Sequence, residues 1–171
     1  MNTAQAEKIE HGAAYGEVFT RRWVVDVLLD LTAYTADRDL GSLRLLEPSC
    51  GSGAFLGPAV ERLIASAQVH GRPLTSLHDA IRAYDLQPDH VETSRALCVD
   101  LLTSAGLSSE DASGLAASWV READFLLSEL DTSFVDVAVG NPPYIRHDDL
   151  DEETAAAYRS TWTTMTGRSD I

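Results

Sequence analysis

The sequence predicts an α/β fold built on an open parallel sheet. Short apolar strand patterns alternate with longer helical ones, an order that requires parallel pairing with right-handed crossovers. A glycine-rich stretch, Pro48-Ser49-Cys50-Gly51-Ser52-Gly53, joins the first strand pattern to the helix that follows. The β-branched run Phe134-Val135-Asp136-Val137-Ala138-Val139 ends at Gly140, as a buried strand does. The chain has 171 residues, one domain's worth, and its 44% hydrophobic content suffices for a core.

Each element follows in order. Residues 1–14 are polar and are expected to form a flexible amino-terminal segment, leaving 15–171 as the folded part. Thr20 is placed as the N-cap of a helix over 21–36, with Val24, Val27, Leu28 and Leu31 on its inner face. Leu43–Glu47 reads as the first strand and the glycine stretch as a tight turn. The next helix has Phe55, Leu56, Ala59, Val60, Leu63 and Ile64 as its inner stripe, tolerates Pro58 in its first turn, and ends at Gly71-Arg72-Pro73. Ile81–Asp85 is the second strand, and Pro88 opens a helix carrying Val91, Cys98, Leu101 and Leu102. Ser108 with Asp111 forms a capping box for a short helix. Trp119–Glu122 is the third strand and the run into Asn141 the fourth. The acidic run Asp148–Glu153 suits a helix start, where the macrodipole favours negative charge.

Composition narrows the function. The net charge of −14 leaves the chain without an electrostatic footprint of its own for nucleic acid, so basic surface for DNA must come from elsewhere. Cys50 and Cys98 lie far apart and the five histidines are scattered, so no metal site is expected. With no signal peptide and no apolar run of membrane-spanning length, a soluble cytoplasmic protein is expected.

The residues with chemistry cluster at predicted strand ends. Glycines after Glu47 let backbone approach a ligand closely, but Leu56 stands where a dinucleotide fingerprint needs its third glycine. Asp85 ends the second strand, where a carboxylate can accept from both hydroxyls of a ribose or simply cap a helix. Asp124-Phe125 follows the third strand, and Phe125 on its own would fit a core position. Asn141-Pro142-Pro143-Tyr144 follows the fourth. Its prolines fix φ and offer carbonyls without N–H, giving a stiff, acceptor-rich ledge beside a flat ring. That suits a planar amine; the plainer reading is a proline-rich turn with a packed Tyr144. Cys50 reads as a small packed residue, because no histidine is placed to activate it.

These patches together resemble the amino-methyltransferases of the DNA adenine N6-specific type, with an Asn-Pro-Pro-Tyr motif. The resemblance extends over about residues 15–171: Tyr15–Thr20, Glu47–Phe55, Asp85, Asp124-Phe125, Asn141–Arg146 and Thr166–Asp170. In that order the patches are similar to the amino-terminal part of fused restriction–modification or phage-exclusion methylases. The resemblance implies a Rossmann-like sheet, incomplete here at about four strands, and S-adenosylmethionine as cofactor. It carries cofactor binding onto Tyr15, Phe19, Thr20, Glu47, Ser49, Cys50, Gly51, Gly53, Asp85, Leu86, Asp124, Phe125 and Asn141, and catalysis onto Asn141, Pro142, Pro143 and Tyr144. Arg21 departs from the proline usual after the Thr. Double-stranded DNA would be held by a region outside this chain, within a longer parent protein. The open strand edge then invites self-association of the fragment. Two alternatives remain: a methyltransferase acting on protein glutamine amides, and a cofactor-binding fragment without activity of its own.

Overall fold

The computed structural model describes residues 20–128, 135–145 and 150–162. They fall into two units, Thr20–Gly140 and a second whose described part begins at Asn141. In the first unit the elements are α1 (Arg22–Leu31), β1 (Leu45–Glu47), α2 (Leu56–His70), β2 (Ile81–Asp85), α3 (Pro88–Ser104), α4 (Ser109–Trp119), β3 (Val120–Glu122) and β4 (Val137–Ala138). In the second lies α5 (Glu152–Thr161). The predicted segment 1–14, Phe134 and the acidic pair Asp148-Asp149 lie outside the described residues.

The expected parallel sheet is present. Its order among the described residues is β3-β2-β1-β4, with every pair parallel. Leu45 stands opposite both Ile81 and Val137, and Ala83 opposite Val120. The chain lays β2 and β3 on one side of β1 and then returns to place β4 on the other. Strand order therefore reverses between β1 and β4, and such switch points leave a crevice outside the carboxyl ends of the strands. Glu47 closes β1 at that edge.

Local chemistry explains the frame. All three residues of β1 are buried, as expected of a parallel strand covered on both faces. The predicted stripe of α2 is buried throughout, from Phe55 to Ile64, and Gly71 ends the helix in the left-handed conformation at φ 66°. Pro88 occupies the first turn of α3. Ser108 Oγ accepts from Asp111 N at 3.1 Å and donates to its Oδ2 at 2.7 Å, completing the predicted cap of α4. Trp119 closes α4 instead of opening β3, because its fully buried indole donates to Leu77 O at 2.8 Å.

Helix α1 departs from expectation. It starts at Arg22 with Arg21 as N-cap, so Thr20 is not the cap, and it ends at Leu31 instead of reaching 36. Its buried residues are Val25 and Leu29, whereas Val27, Leu28 and Leu31 are exposed. The helix is apolar over most of its circumference, so periodicity alone does not choose a face. Charge does. Arg62 of α2 donates to Asp30 Oδ1 at 2.6 Å and to the carbonyls of Asp26 and Tyr34 at 3.0 Å. Arg22 forks onto Glu61 at 2.6 and 3.2 Å. These pairs turn Val25 and Leu29 inward.

Arg62→Met keeps the aliphatic stem and removes the fork. The expected loss is about 1–3 kcal/mol, the usual cost of stripping donors from part-buried acceptors. It would be read as a lower urea midpoint at unchanged slope. An unchanged midpoint would mean that apolar packing alone holds α1.

Candidate functional site

The glycine turn after β1 is fastened from several directions. Cys50 N donates to Tyr84 O at 2.8 Å, and Gly53 N to Cys50 O at 2.9 Å. Gly51 and Gly53 have φ of 51° and 91°, a region that favours glycine. At Gly53 a Cβ would also stand 2.7 Å from Leu97 Cδ2, so the absent side chain lets α3 close on the turn. The Gly51 peptide is held at both ends: its N–H donates to Asp85 Oδ2 at 2.8 Å, and its carbonyl accepts from Ser94 Oγ at 2.8 Å. Ser94 is fully buried on α3.

Asp85 thus acts first as a brace. Its other oxygen accepts from Gln87 N at 2.9 Å, and His90 Nδ1 lies 3.3 Å from that same Oδ1. Each oxygen still has a second lone pair for a ligand. Glu47 contrasts with it. Its side chain is 1% exposed, and Oε2 is buried without a hydrogen-bond partner. Burial pushes its carboxyl well above the usual carboxylate range, and the neighbouring charge of Asp85 pushes it further. A Cβ on Gly140 would come within 3.9 Å of Glu47 Cγ and 3.4 Å of Pro48 Cδ, so the end of β4 abuts the end of β1.

Cys50 is buried, and burial, helped by Glu47 and Asp85, pushes its thiol up to about 12. It packs and does not act as a nucleophile. Asp124 Oδ1 accepts from Leu126 N at 2.8 Å, capping a turn of 3-10 helix over Phe125–Leu127. The half-buried Phe125 meets Tyr84 edge-on, ring centres 5.6 Å apart at 62°. Ser49 is half-buried and Leu86 exposed. Thr20 is half-buried just before α1, while Tyr15, Phe19, Arg146 and Thr166–Asp170 lie outside the described residues.

An apolar cleft of about 380 Å³ opens beside Leu28, Leu31, Thr32, Pro48 and Ala138–Gly140. Asp85, Asp124 and Phe125 do not line it. Among the described residues no group of His, Cys, Asp or Glu side chains could hold a metal ion.

In the second unit, Asn141 is half-buried and Pro142 exposed. Tyr144 is 69% exposed, and its hydroxyl donates to Asn141 Oδ1 at 3.2 Å. Asp151 caps α5, accepting from Thr154 N at 2.8 Å.

Sequence reasoning missed Ser94 and Leu97. The signal was present for Ser94: it shares a helical stripe with Val91 and Cys98, and a lone hydroxyl on an inner stripe needs a buried acceptor.

No family model matches the chain. Over 175 aligned residues it is 45% identical to the Type II methyltransferase M.PaeR7I of Pseudomonas aeruginosa, a match covering all of this chain and 30% of that protein. It is 42% identical to the Type II methyltransferase M.XhoI of Xanthomonas vasicola, over 91% of this chain and 29% of that one. It is 37% identical to the Type II methyltransferase M.BstVI of Geobacillus stearothermophilus, over 92% and 29% respectively. The chain therefore spans less than a third of the length of the curated relatives it matches. Its all-parallel α/β sheet is a Rossmann-like methyltransferase fold.

The burial of both thiols is testable. Burial also pushes Cys98 up to about 12. Cys50 and Cys98 should resist alkylation at mildly alkaline pH in the folded protein and react fully once it is unfolded. Rapid native labelling of Cys50, read by mass spectrometry, would contradict the packed assignment.

Proposed function

We propose that this chain is the cofactor-binding and amine-binding part of a longer restriction–modification or phage-defence enzyme, one that methylates the exocyclic amine of adenine in DNA with S-adenosylmethionine. The observation that carries the reading is the glycine turn clamped at the switch point of a parallel sheet, between two strand-ending carboxyls. The names of the relatives support the reaction class.

The residues present fit the cofactor. Glu47 has an oxygen without a partner, and Asp85 keeps one free lone pair on each oxygen. Bound S-adenosylmethionine would supply a methyl group made electrophilic by its sulfonium. Around it, Asp85 would accept from the ribose hydroxyls, Phe125 would pack against the adenine ring, and Asp124 would accept from that ring's amine. Glu47, Ser49, Cys50, Gly51, Gly53 and Leu86 would shape the cradle. Tyr15, Phe19 and Thr20 are assigned to the methionine end by their motif alone.

The target amine is a poor nucleophile because its lone pair is delocalised into the ring. Asn141 Oδ1 and the Pro142 carbonyl would accept from its two N–H bonds, favouring a pyramidal nitrogen and stabilising positive charge as it develops. Preorganised acceptors of this kind contribute roughly 3–4 kcal/mol. Pro143 stiffens the ledge. Tyr144 would stack on the base once it is flipped from the duplex, worth about 1–3 kcal/mol. For that, its hydroxyl must first leave Asn141 Oδ1. Phosphate contacts would come from the longer protein, since this chain has a net charge of −14.

In the full-length protein, Asn141→Ala should abolish methyl transfer to adenine-containing DNA while leaving cofactor affinity nearly intact. Asp85→Ala should do the reverse, weakening cofactor binding by about 1–3 kcal/mol. Calorimetry and tritiated methyl transfer read the two effects separately. Near-normal turnover in Asn141→Ala would remove the ledge from the active site, and methylation of a glutamine peptide in place of DNA would reassign the substrate.

A further inference from the structure

Glu47 poses a physical problem that the proposed cofactor site does not by itself resolve. A carboxyl at the end of β1 is 1% exposed, and its Oε2 has no hydrogen-bond partner. Buried polar groups are ordinarily paired, and buried charges almost always are. The ionisable group acting on it is Asp85 from β2, and Glu47 acts in turn on Cys50 of the turn and Cys98 of α3. None is a cation. His90 stands against Asp85, and β4 contributes the glycine backbone of Gly140. Both Asp85 oxygens already accept from backbone N–H groups, whereas Oε2 of Glu47 accepts from none. Of the two carboxyls, Glu47 is therefore the one to carry a proton.

We propose that Glu47 is a neutral carboxylic acid in the empty protein and becomes a carboxylate when the ammonium of the ligand's amino-acid end seats against it, so that ligand capture releases a proton. The proposal rests on the reading of the site as one for S-adenosylmethionine. The ammonium is the partner because it carries three N–H donors, and the sulfonium carries none. The balance is simple. The O–H bond of Glu47 breaks, its proton passes to solvent, and the ligand keeps its own charge. Glu47 lies at the switch point of the strand order, where a ligand is expected in such sheets. The direction of its raised pKa agrees with the neutral empty state.

The sign of the linkage follows. Binding favours the ionised form, so affinity rises with pH from the ordinary carboxylate range toward the raised value, with a slope approaching about tenfold per pH unit for one proton. The test is calorimetry on the full-length protein with S-adenosylmethionine, in two buffers of different ionisation enthalpy. It is run at about pH 6.5, below the titration of an α-amino group near about 8. A buffer-dependent heat corresponding to proton release is expected. Glu47→Gln should bind at least about tenfold more weakly, having lost a charge-assisted hydrogen bond, and without buffer dependence. Methylthioadenosine, which lacks the amino-acid end, should release no proton. Equal heats in both buffers for the unmodified protein would overturn the proposal. Absence of any S-adenosylmethionine binding would instead overturn the reading of the site. Denaturation without ligand gives an independent check. The unmodified protein should lose stability as pH rises from the unfolded carboxyl's titration through the raised one, and Glu47→Gln should not. Identical profiles would show that Glu47 is not neutral when empty.

Discussion

The site is organised around one peptide group. Gly51 donates its N–H to Asp85 and accepts at its carbonyl from Ser94, so a turn of left-handed glycines is fastened at once to the end of β2 and to the inner face of α3. Without those bonds the turn would leave part-buried backbone polar groups unpaired, which costs stability. Leu97 then closes against Gly53, where a Cβ would displace the leucine's Cδ2 and strain a left-handed backbone. The turn is thus held by residues remote in sequence.

The same arrangement places two carboxyls of opposite character side by side. Asp85 accepts one backbone N–H on each oxygen, and Glu47 is left without a partner on its buried oxygen. Both belong to strand ends whose backbone position is set by parallel register. A fold selected only for stability would replace Glu47 by an apolar residue of similar volume, since an unpaired buried polar group costs more than it contributes. Its presence is a local conflict of the kind that marks functional places in otherwise consistent structures.

How much of this is legible in the sequence depends on the range of the interaction. Pro88 opening α3, Gly71 closing α2 and Ser108 capping α4 are local rules, and each holds where the residues alone place it. Strand β2 has the bounds its apolar run implies. The face of α1 is not legible, because Val24 to Leu31 is apolar nearly all round and the choice falls to ion pairs with Arg62 and Glu61, residues on another helix. The brace from Asp85 to Gly51 is equally hidden. The sequence marks both residues as chemically suggestive, but that one serves the other's backbone becomes visible only once the strands are paired. Thr20 misleads for a simpler reason: a hydroxyl before an apolar helix resembles a cap, and the helix begins one residue later than that pattern implies.

The hydrogen bond from Tyr144 to Asn141 Oδ1 uses one of that oxygen's two lone pairs and leaves the second open. It also ties an exposed aromatic ring to the amide that precedes the two prolines. A donor arriving at the ledge as proposed would add to the phenol's bond, whereas a flat ring stacking on Tyr144 would have to take the ring as that bond holds it or break the bond. The tether is thus compatible with a ligand that brings a donor, and it sets a cost on one that needs the ring turned.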